Sequence, residues 1–230
     1  MRPYPVMMNL DGKQVVVVGG GRVAMRKIAG LIESGARITV ISPELVKELK
    51  GLHEIGRISW IAKEFDEALL DFFPETALLF GTTDRRSVNV SIQAAAVKRK
   101  MLCNIADMPD LCTFIVPAVI TQGDLMISVS TGGSSPALAR RIREDLEKRF
   151  GPEYAAMTKL LGELRKQIVK SGSTSDENRK LFLEIVDSEM LEALRERDKE
   201  KAFTILKDLL PQDVDPLTAI EEPDPIKTGK

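Results

Sequence analysis

The chain has 230 residues with 33 basic and 34 acidic side chains, a formal charge of −1, so no global basic excess marks it for nucleic acid. Its two cysteines, Cys103 and Cys112, form no C-x-x-C pair, and its one histidine, His53, sits in the polar segment KGLHEIGR as an expected surface residue. A disulfide framework, a histidine-based metal site and a Ser-His-Asp triad are therefore not expected, and the thiols fit a reducing cytoplasm.

The opening MRPYPVMMNLDGK lacks the apolar run of a secretory signal. No stretch reaches the ~20 apolar residues of a bilayer span, so no membrane partner is expected. From there to about residue 112, strands alternate with helical patterns. Gln14–Val18 is a continuous apolar run, as in a strand covered on both faces. Val23–Ser34 has helical spacing, with Ala24, Ile28, Leu31 and Ile32 on one face and Gly35 ending it. Ala36–Ser42, Arg57–Ala62, Thr76–Asp84 with its loop, and Met101–Asp107 read as four more strands. DEALLDFF and SVNVSIQAAAVKRK read as helices between them. The alternation predicts an α/β fold with a parallel sheet and helices on both faces.

The pattern changes after residue 112. Cys112–Gly133 reads as two or three β-rich runs with a turn at Gln122–Asp124, and without a crossover helix they are expected to be antiparallel. Ser134–Phe150 reads as a helix, with Ser135 placed to cap it and Pro136 suited to its first position. Past Gly151-Pro152 the chain is helical: Glu153–Lys170, then a loop at Ser171–Asn178 where Thr174 and Glu177 have capping-box spacing. Further helices are expected near Glu177–Val186, Glu189–Arg197 and Lys199–Leu210. The proline-rich, acidic tail, 212–230, is expected to be disordered.

Gly19-Gly20-Gly21-Arg22-Val23-Ala24 matches G-x-G-x-x-G/A between a strand and a helix, the fingerprint of a Rossmann dinucleotide-binding turn. Gly19 suits the tight turn, Gly21 lets a pyrophosphate approach the backbone, and Ala24 lets the helix pack on the sheet. The second strand ends Ser42-Pro43-Glu44 rather than directly in the acid that binds the ribose hydroxyls. No arginine directly follows it to favour a 2′-phosphate, and this position does not decide between NAD and NADP.

In such sheets ligands lie beyond the carboxyl ends of the strands. The fourth strand ends in Gly81-Thr82-Thr83-Asp84, where Thr82 and Thr83 serve either a ligand or the local loop, and Asp84 is expected to cap the next helix. The fifth ends in Asn104-Ile105-Ala106-Asp107. Asp107 is either a turn residue before Pro109 or a carboxylate facing the reacting end of the cleft. In STGGSSPALARRIR (Ser130–Arg143), a Gly-Gly turn leads into a serine-capped helix whose N-terminus suits a carboxylate. Arg140, Arg141 and Arg143 there either pair with nearby acids such as Glu144 and Asp145 or meet an acidic substrate.

The stretches YPVMMNLDGKQVVVVGGGRVAMRKIAGLIESGARITVISPE, GTTDRRSVN, CNIADMPDLCTFIVPAVI and LMISVSTGGSSPALARRIRE, in this order over residues 4–150, resemble the precorrin-2 dehydrogenase family of siroheme biosynthesis. That family includes bifunctional dehydrogenase/ferrochelatases and the N-terminal part of siroheme synthases. The resemblance implies NAD as cofactor and oxidation of precorrin-2, a polycarboxylate tetrapyrrole, to sirohydrochlorin, with ferrous iron inserted by some members. It also implies a homodimer formed through the antiparallel middle segment. The expected organisation is then a Rossmann domain over 1–112, a dimerisation segment over 113–150 and a helical domain over 151–211.

Carried over residue by residue, the resemblance puts cofactor contacts on Gly19, Gly20, Gly21, Arg22, Val23, Ser42, Pro43, Glu44, Thr82 and Thr83. The family's essential aspartate falls on Asp107, with Asn104 beside it. A serine phosphorylated in some members falls on Thr131, which keeps only the hydroxyl. Substrate contacts are expected at Asn104, Thr131, Gly132, Gly133, Ser134 and Arg140. Arg22, Arg26 and Lys27 join Arg140 as candidate cations for the carboxylates. The competing reading is a non-catalytic dinucleotide-sensing module, which needs the glycine turn but neither Asp107 nor the Ser130–Arg143 segment.

Overall fold

The computed structural model describes residues 3–169 and 174–216. The chain divides into two compact units, one reaching Val116 and one starting at Pro117.

The first unit is built on five parallel strands: β1 (Gln14–Val18), β2 (Arg37–Ile41), β3 (Ser59–Ile61), β4 (Thr76–Gly81) and β5 (Leu102–Ile105). Their order in the sheet is β3-β2-β1-β4-β5. The four valines of β1 explain its central place. Val15 and Val17 pack with Ala24, Ile28 and Leu31 of α1 (Arg22–Ile32), while Val16 and Val18 pack with Ile92, Ala95 and Ala96 of α3 (Arg86–Lys98). A strand covered on both faces has no use for polar alternation. The chain runs outward from β1 to β3 and then returns to β4 on the other side of β1. The order reverses there, and the carboxyl ends of β1 and β4 form the switch point where such sheets bind ligands.

Two features of this unit differ from the sequence expectation. A helix that the pattern did not suggest, α2, covers Lys47–Glu54. It buries only Leu49, so its apolar stripe is too thin to register as a period. The helix expected in DEALLDFF is a 3-10 segment, Glu67–Phe72, opened by Asp66, whose carboxylate accepts the Ala68 N–H at 2.9 Å. His53 is exposed, as expected, with its ring edge-on to Trp60.

The second unit opens with an antiparallel hairpin, β6 (Ala118–Gln122) and β7 (Leu125–Val129), in the register Ile120 opposite Ile127. Helices α4 (Pro136–Arg149), α5 (Pro152–Ile168), α6 (Ser175–Asp187), α7 (Met190–Glu196) and α8 (Lys199–Leu209) follow. Met157, Leu160, Leu164 and Ile168 project from one face of α5 onto Ile185, Met190, Ala193 and Leu206. The hairpin and α4 share this unit with the later helices. Ser135 caps α4 by accepting the Leu138 N–H at 3.2 Å, with Pro136 in the first helical position, as expected. The reciprocal capping box of Thr174 and Glu177 is present at the start of α6. Part of the expected loop, residues 171–173, and most of the expected tail, from 217 onward, lie outside the described residues. Among the described residues no helix is long and apolar enough to cross a membrane.

Candidate functional site

The glycine turn lies at the switch point. Gly19 adopts φ of 112°, and a Cβ there would stand 2.6 Å from Thr82 Oγ1. Gly20 is pressed equally hard: a Cβ would collide with the Glu44 carbonyl oxygen, and the Gly20 carbonyl accepts the Val46 N–H at 2.9 Å. Gly21 is different. Its φ is −90°, and a Cβ would meet nothing within 4 Å. Its missing side chain makes way for no neighbour among the described residues. It leaves open space at the N-cap of α1, which has no side-chain cap and no acid in its first turn. That geometry fits a dinucleotide pyrophosphate, which takes the free N–H groups and the positive end of the helix.

Thr82 is buried and faces inward. Its backbone N–H and its hydroxyl both donate to the Val18 carbonyl, each at 2.8 Å, which braces β4 against β1 beneath Gly19. Thr83 donates its hydroxyl to Asn89 Oδ1 at 2.8 Å, and Asn89 Nδ2 donates to the Thr83 carbonyl at 2.9 Å. This pair locks the β4 loop onto the first turn of α3. Asp84, expected to cap that helix, does not: the N-cap is Arg85, and no side chain caps it. Asn89 has taken over the fastening role from inside the helix. Beyond β2, Ser42 is buried and its carbonyl accepts the Trp60 indole N–H at 2.8 Å, while Pro43 and Glu44 are exposed.

The end of β5 is more constrained. Ala106 N–H donates to the Gly81 carbonyl at 2.8 Å, carrying the strand pairing one residue past β5. Cys112 closes the following loop: its sulfur accepts the Ile105 N–H at 3.2 Å and donates toward the Ile105 carbonyl at 3.3 Å. Inside this loop Asp107 is exposed and left-handed, with φ of 60°. Asp is among the few non-glycine residues that visit this region readily. The short 3-10 turn that follows, Pro109–Leu111, takes Met108 as its N-cap without side-chain help, so Asp107 is not a capping residue. Among the described residues its carboxylate has no hydrogen bond or ion pair. Asn104 is buried, accepting from Lys27 Nζ at 3.2 Å and donating to the Phe114 carbonyl at 2.9 Å.

In the second unit, Thr131 staples the turn before α4. Its Oγ1 accepts the Ser135 N–H and donates to the Ser135 carbonyl, both at 3.0 Å. Gly132 and Gly133 both have positive φ, and Ser134 is exposed. Arg140 pairs with Glu144 at 2.9 Å, Arg141 with Asp145 at 3.4 Å, and Arg143 with Glu147, each one helical turn apart. These exposed pairs follow the solvated-helix reading of the arginine cluster.

A family model described as NAD(P)-binding matches residues 6–118, and one described as sirohaem biosynthesis protein central matches residues 122–149. Siroheme synthase 1 of Aeromonas salmonicida is 37% identical over 199 residues, 86% of this chain and 42% of that protein. The siroheme synthase of Methylobacillus flagellatus is 37% identical over 187 residues, 81% of this chain and 39% of that protein. The solved structure of SirC, precorrin-2 dehydrogenase, matches with a TM-score of 0.75 at 29% identity, covering 90% of this chain and 98% of that one. The chain belongs to the siroheme synthase N-terminal family. It spans less than half the length of the siroheme synthases it matches.

For a member of the siroheme synthase N-terminal family, this first unit carries two devices that reading the sequence did not reveal. One is the fastening of the β4 loop by Asn89, inside the quoted GTTDRRSVN stretch. The other is the loop closure by Cys112, five residues past Asp107. Neither residue type signals a role by itself, because both act through backbone groups that only the folded loop brings near. Lys27, a candidate cation by its sign, donates its ammonium to Asn104.

Proposed function

We propose that the chain dehydrogenates precorrin-2 to sirohydrochlorin with NAD in siroheme biosynthesis, as a cytoplasmic homodimer. The observation that carries this reading is Asp107. It is a free carboxylate held in a left-handed conformation beyond the carboxyl end of β5, in the sheet whose switch point bears the glycine turn.

Bound nicotinamide supplies the hydride acceptor. The chain's own residues do the rest. Gly19, Gly20 and Gly21, with Arg22 and Val23 at the start of α1, hold the pyrophosphate. Ser42, Pro43 and Glu44 border the adenosine ribose, and an exposed carboxylate at Glu44 favours NAD over a 2′-phosphorylated cofactor. Asp107 takes the proton that leaves the substrate with the hydride, or holds the macrocycle in register, and both roles require its carboxyl group within reach. Arg22 and Arg26 make no ion pair among the described residues and supply positive charge for a polycarboxylate. Thr131, Gly132, Gly133 and Ser134 at the capped start of α4 are the candidate contacts of the second unit.

Replacing Asp107 by Ala is expected to spare NAD binding, read by fluorescence titration, and to abolish the appearance of the sirohydrochlorin absorption spectrum. Full activity in that variant would sink the assignment. A dinucleotide sensor gives no sirohydrochlorin even in the wild type. The same assay with ferrous iron or cobalt separates a dehydrogenase from an enzyme that also inserts metal.

A further inference from the structure

We infer that Lys27 is a positioning residue for Asp107, joining the helix opened by the glycine turn to the strand end that carries the aspartate. The inference rests on the dehydrogenase reading above.

Lys27 lies on the second turn of α1 and is only partly exposed. Its ammonium donates to Asn104 Oδ1 at 3.2 Å and stands 5.7 Å from the centre of the Phe80 ring on β4. Phe80 in turn meets the edge of Phe114 at 5.6 Å, and the Phe114 carbonyl receives the other end of Asn104. Both polar ends of the buried Asn104 amide are thereby spoken for, one by α1 and one by the segment leaving the β5 loop. Asp107 is three residues further on, in the loop that Cys112 closes. Lys27 thus ties the β5 end to α1.

The titratable groups that act on the ammonium are Arg26 on its own helix, with Asp107 and the Cys112 thiol on the loop after β5. Burial pulls the Lys27 ammonium below the ordinary lysine range and Arg26 adds to the drop, while Cys112 and Asp107 oppose it. The geometry carries the link: the ammonium is bonded to Asn104, in the strand whose end leads into the Asp107 loop.

The test uses the full chain with precorrin-2 and NAD. Lys27→Met is expected to lower kcat about tenfold or more while KM for precorrin-2 and NAD affinity each move by less than about threefold. Lys27→Arg is expected to recover most of the rate. The double variant of Lys27→Met with Asp107→Asn is expected to be no slower than Asp107→Asn alone, since residues acting as one unit are not additive. In amide NMR spectra of the protein without cofactor, Lys27→Met should move the Asn104 side-chain resonances and the backbone amides of residues 104–112. Those of the β6–β7 hairpin should stay in place. Wild-type kcat in Lys27→Met, a rise in KM alone, independent losses in the double variant or an unmoved Asn104 amide would each overturn the inference. If Lys27→Met does not fold, Lys27→Gln, which keeps a donor without the charge, is carried through the same measurements. If Asp107→Asn is itself fully active, the dehydrogenase reading fails, whatever Lys27 does to the spectra.

Discussion

Gly20 and Gly21 are neighbours under different constraints, and the difference can be measured. At Gly20 a methyl group meets the Glu44 carbonyl, so Gly20→Ala is expected to destabilise the whole turn and lower the melting temperature by several degrees. At Gly21 the same change meets no atom of the described residues within 4 Å. Gly21→Ala is expected to melt within about 2 °C of wild type and yet bind NAD about tenfold or more weakly, because only the pyrophosphate needs that space. Calorimetry beside a binding titration separates the two. Cys103 gives a pH prediction. Burial, with Cys112 nearby, pushes its thiol up to about 12. The folded state therefore keeps a proton that the unfolded chain loses at lower pH. The associated stability is complete below the ordinary cysteine pKa and is lost as pH rises toward the shifted value. Urea unfolding at rising pH should show this decline, flattened in Cys103→Ala.

At the scale of elements, α1 and α6 begin in opposite ways. α6 satisfies its own first turn: Thr174 N–H and hydroxyl donate to the Glu177 carboxylate at 2.9 and 2.8 Å. Those bonds hold Glu177 below the usual carboxylate range, the backbone bond first. Its contribution is present above the ordinary glutamate pKa and fades as pH falls through the lowered value. Thr174→Ala is expected to lower the melting temperature by about 2 to 4 °C, and the deficit should shrink on acidification, followed by far-ultraviolet dichroism. α1 leaves its first turn without a side-chain cap. A self-capped α1 would have stronger local helix formation and no room for a phosphate.

At the scale of the whole molecule, the second unit exposes apolar surface that its own core does not use. Leu138 and Ile142, one turn apart on α4, are 52% and 38% exposed, and Met126 on β7 is 50% exposed. Side chains of this kind on consecutive elements suit an interface between two copies. Sedimentation equilibrium is expected to give a dimer. Leu138→Asp is expected to give a folded monomer, and a variant that remains dimeric would place the interface elsewhere.

Much of the first unit is legible locally. Four valines before three glycines define β1 and the turn, because continuous apolar runs and glycine-only backbone angles are properties of adjacent residues. Ser135-Pro136 and Thr174-x-x-Glu177 define two helix starts for the same reason. What the sequence left open concerns which distant groups meet. Lys27 and Asn104 lie 77 positions apart, and Thr82 reaches Val18 across 64. Nothing in either segment announces the other. Asp107 could be read as a turn former or as a site carboxylate. Tertiary packing adds only that Met108 takes the N-cap and Cys112 closes the loop, so neither position uses the Asp107 side chain. Periodicity reports which face of an element is buried. Which polar group a buried side chain finds is set only when the sheet order brings the strand ends together.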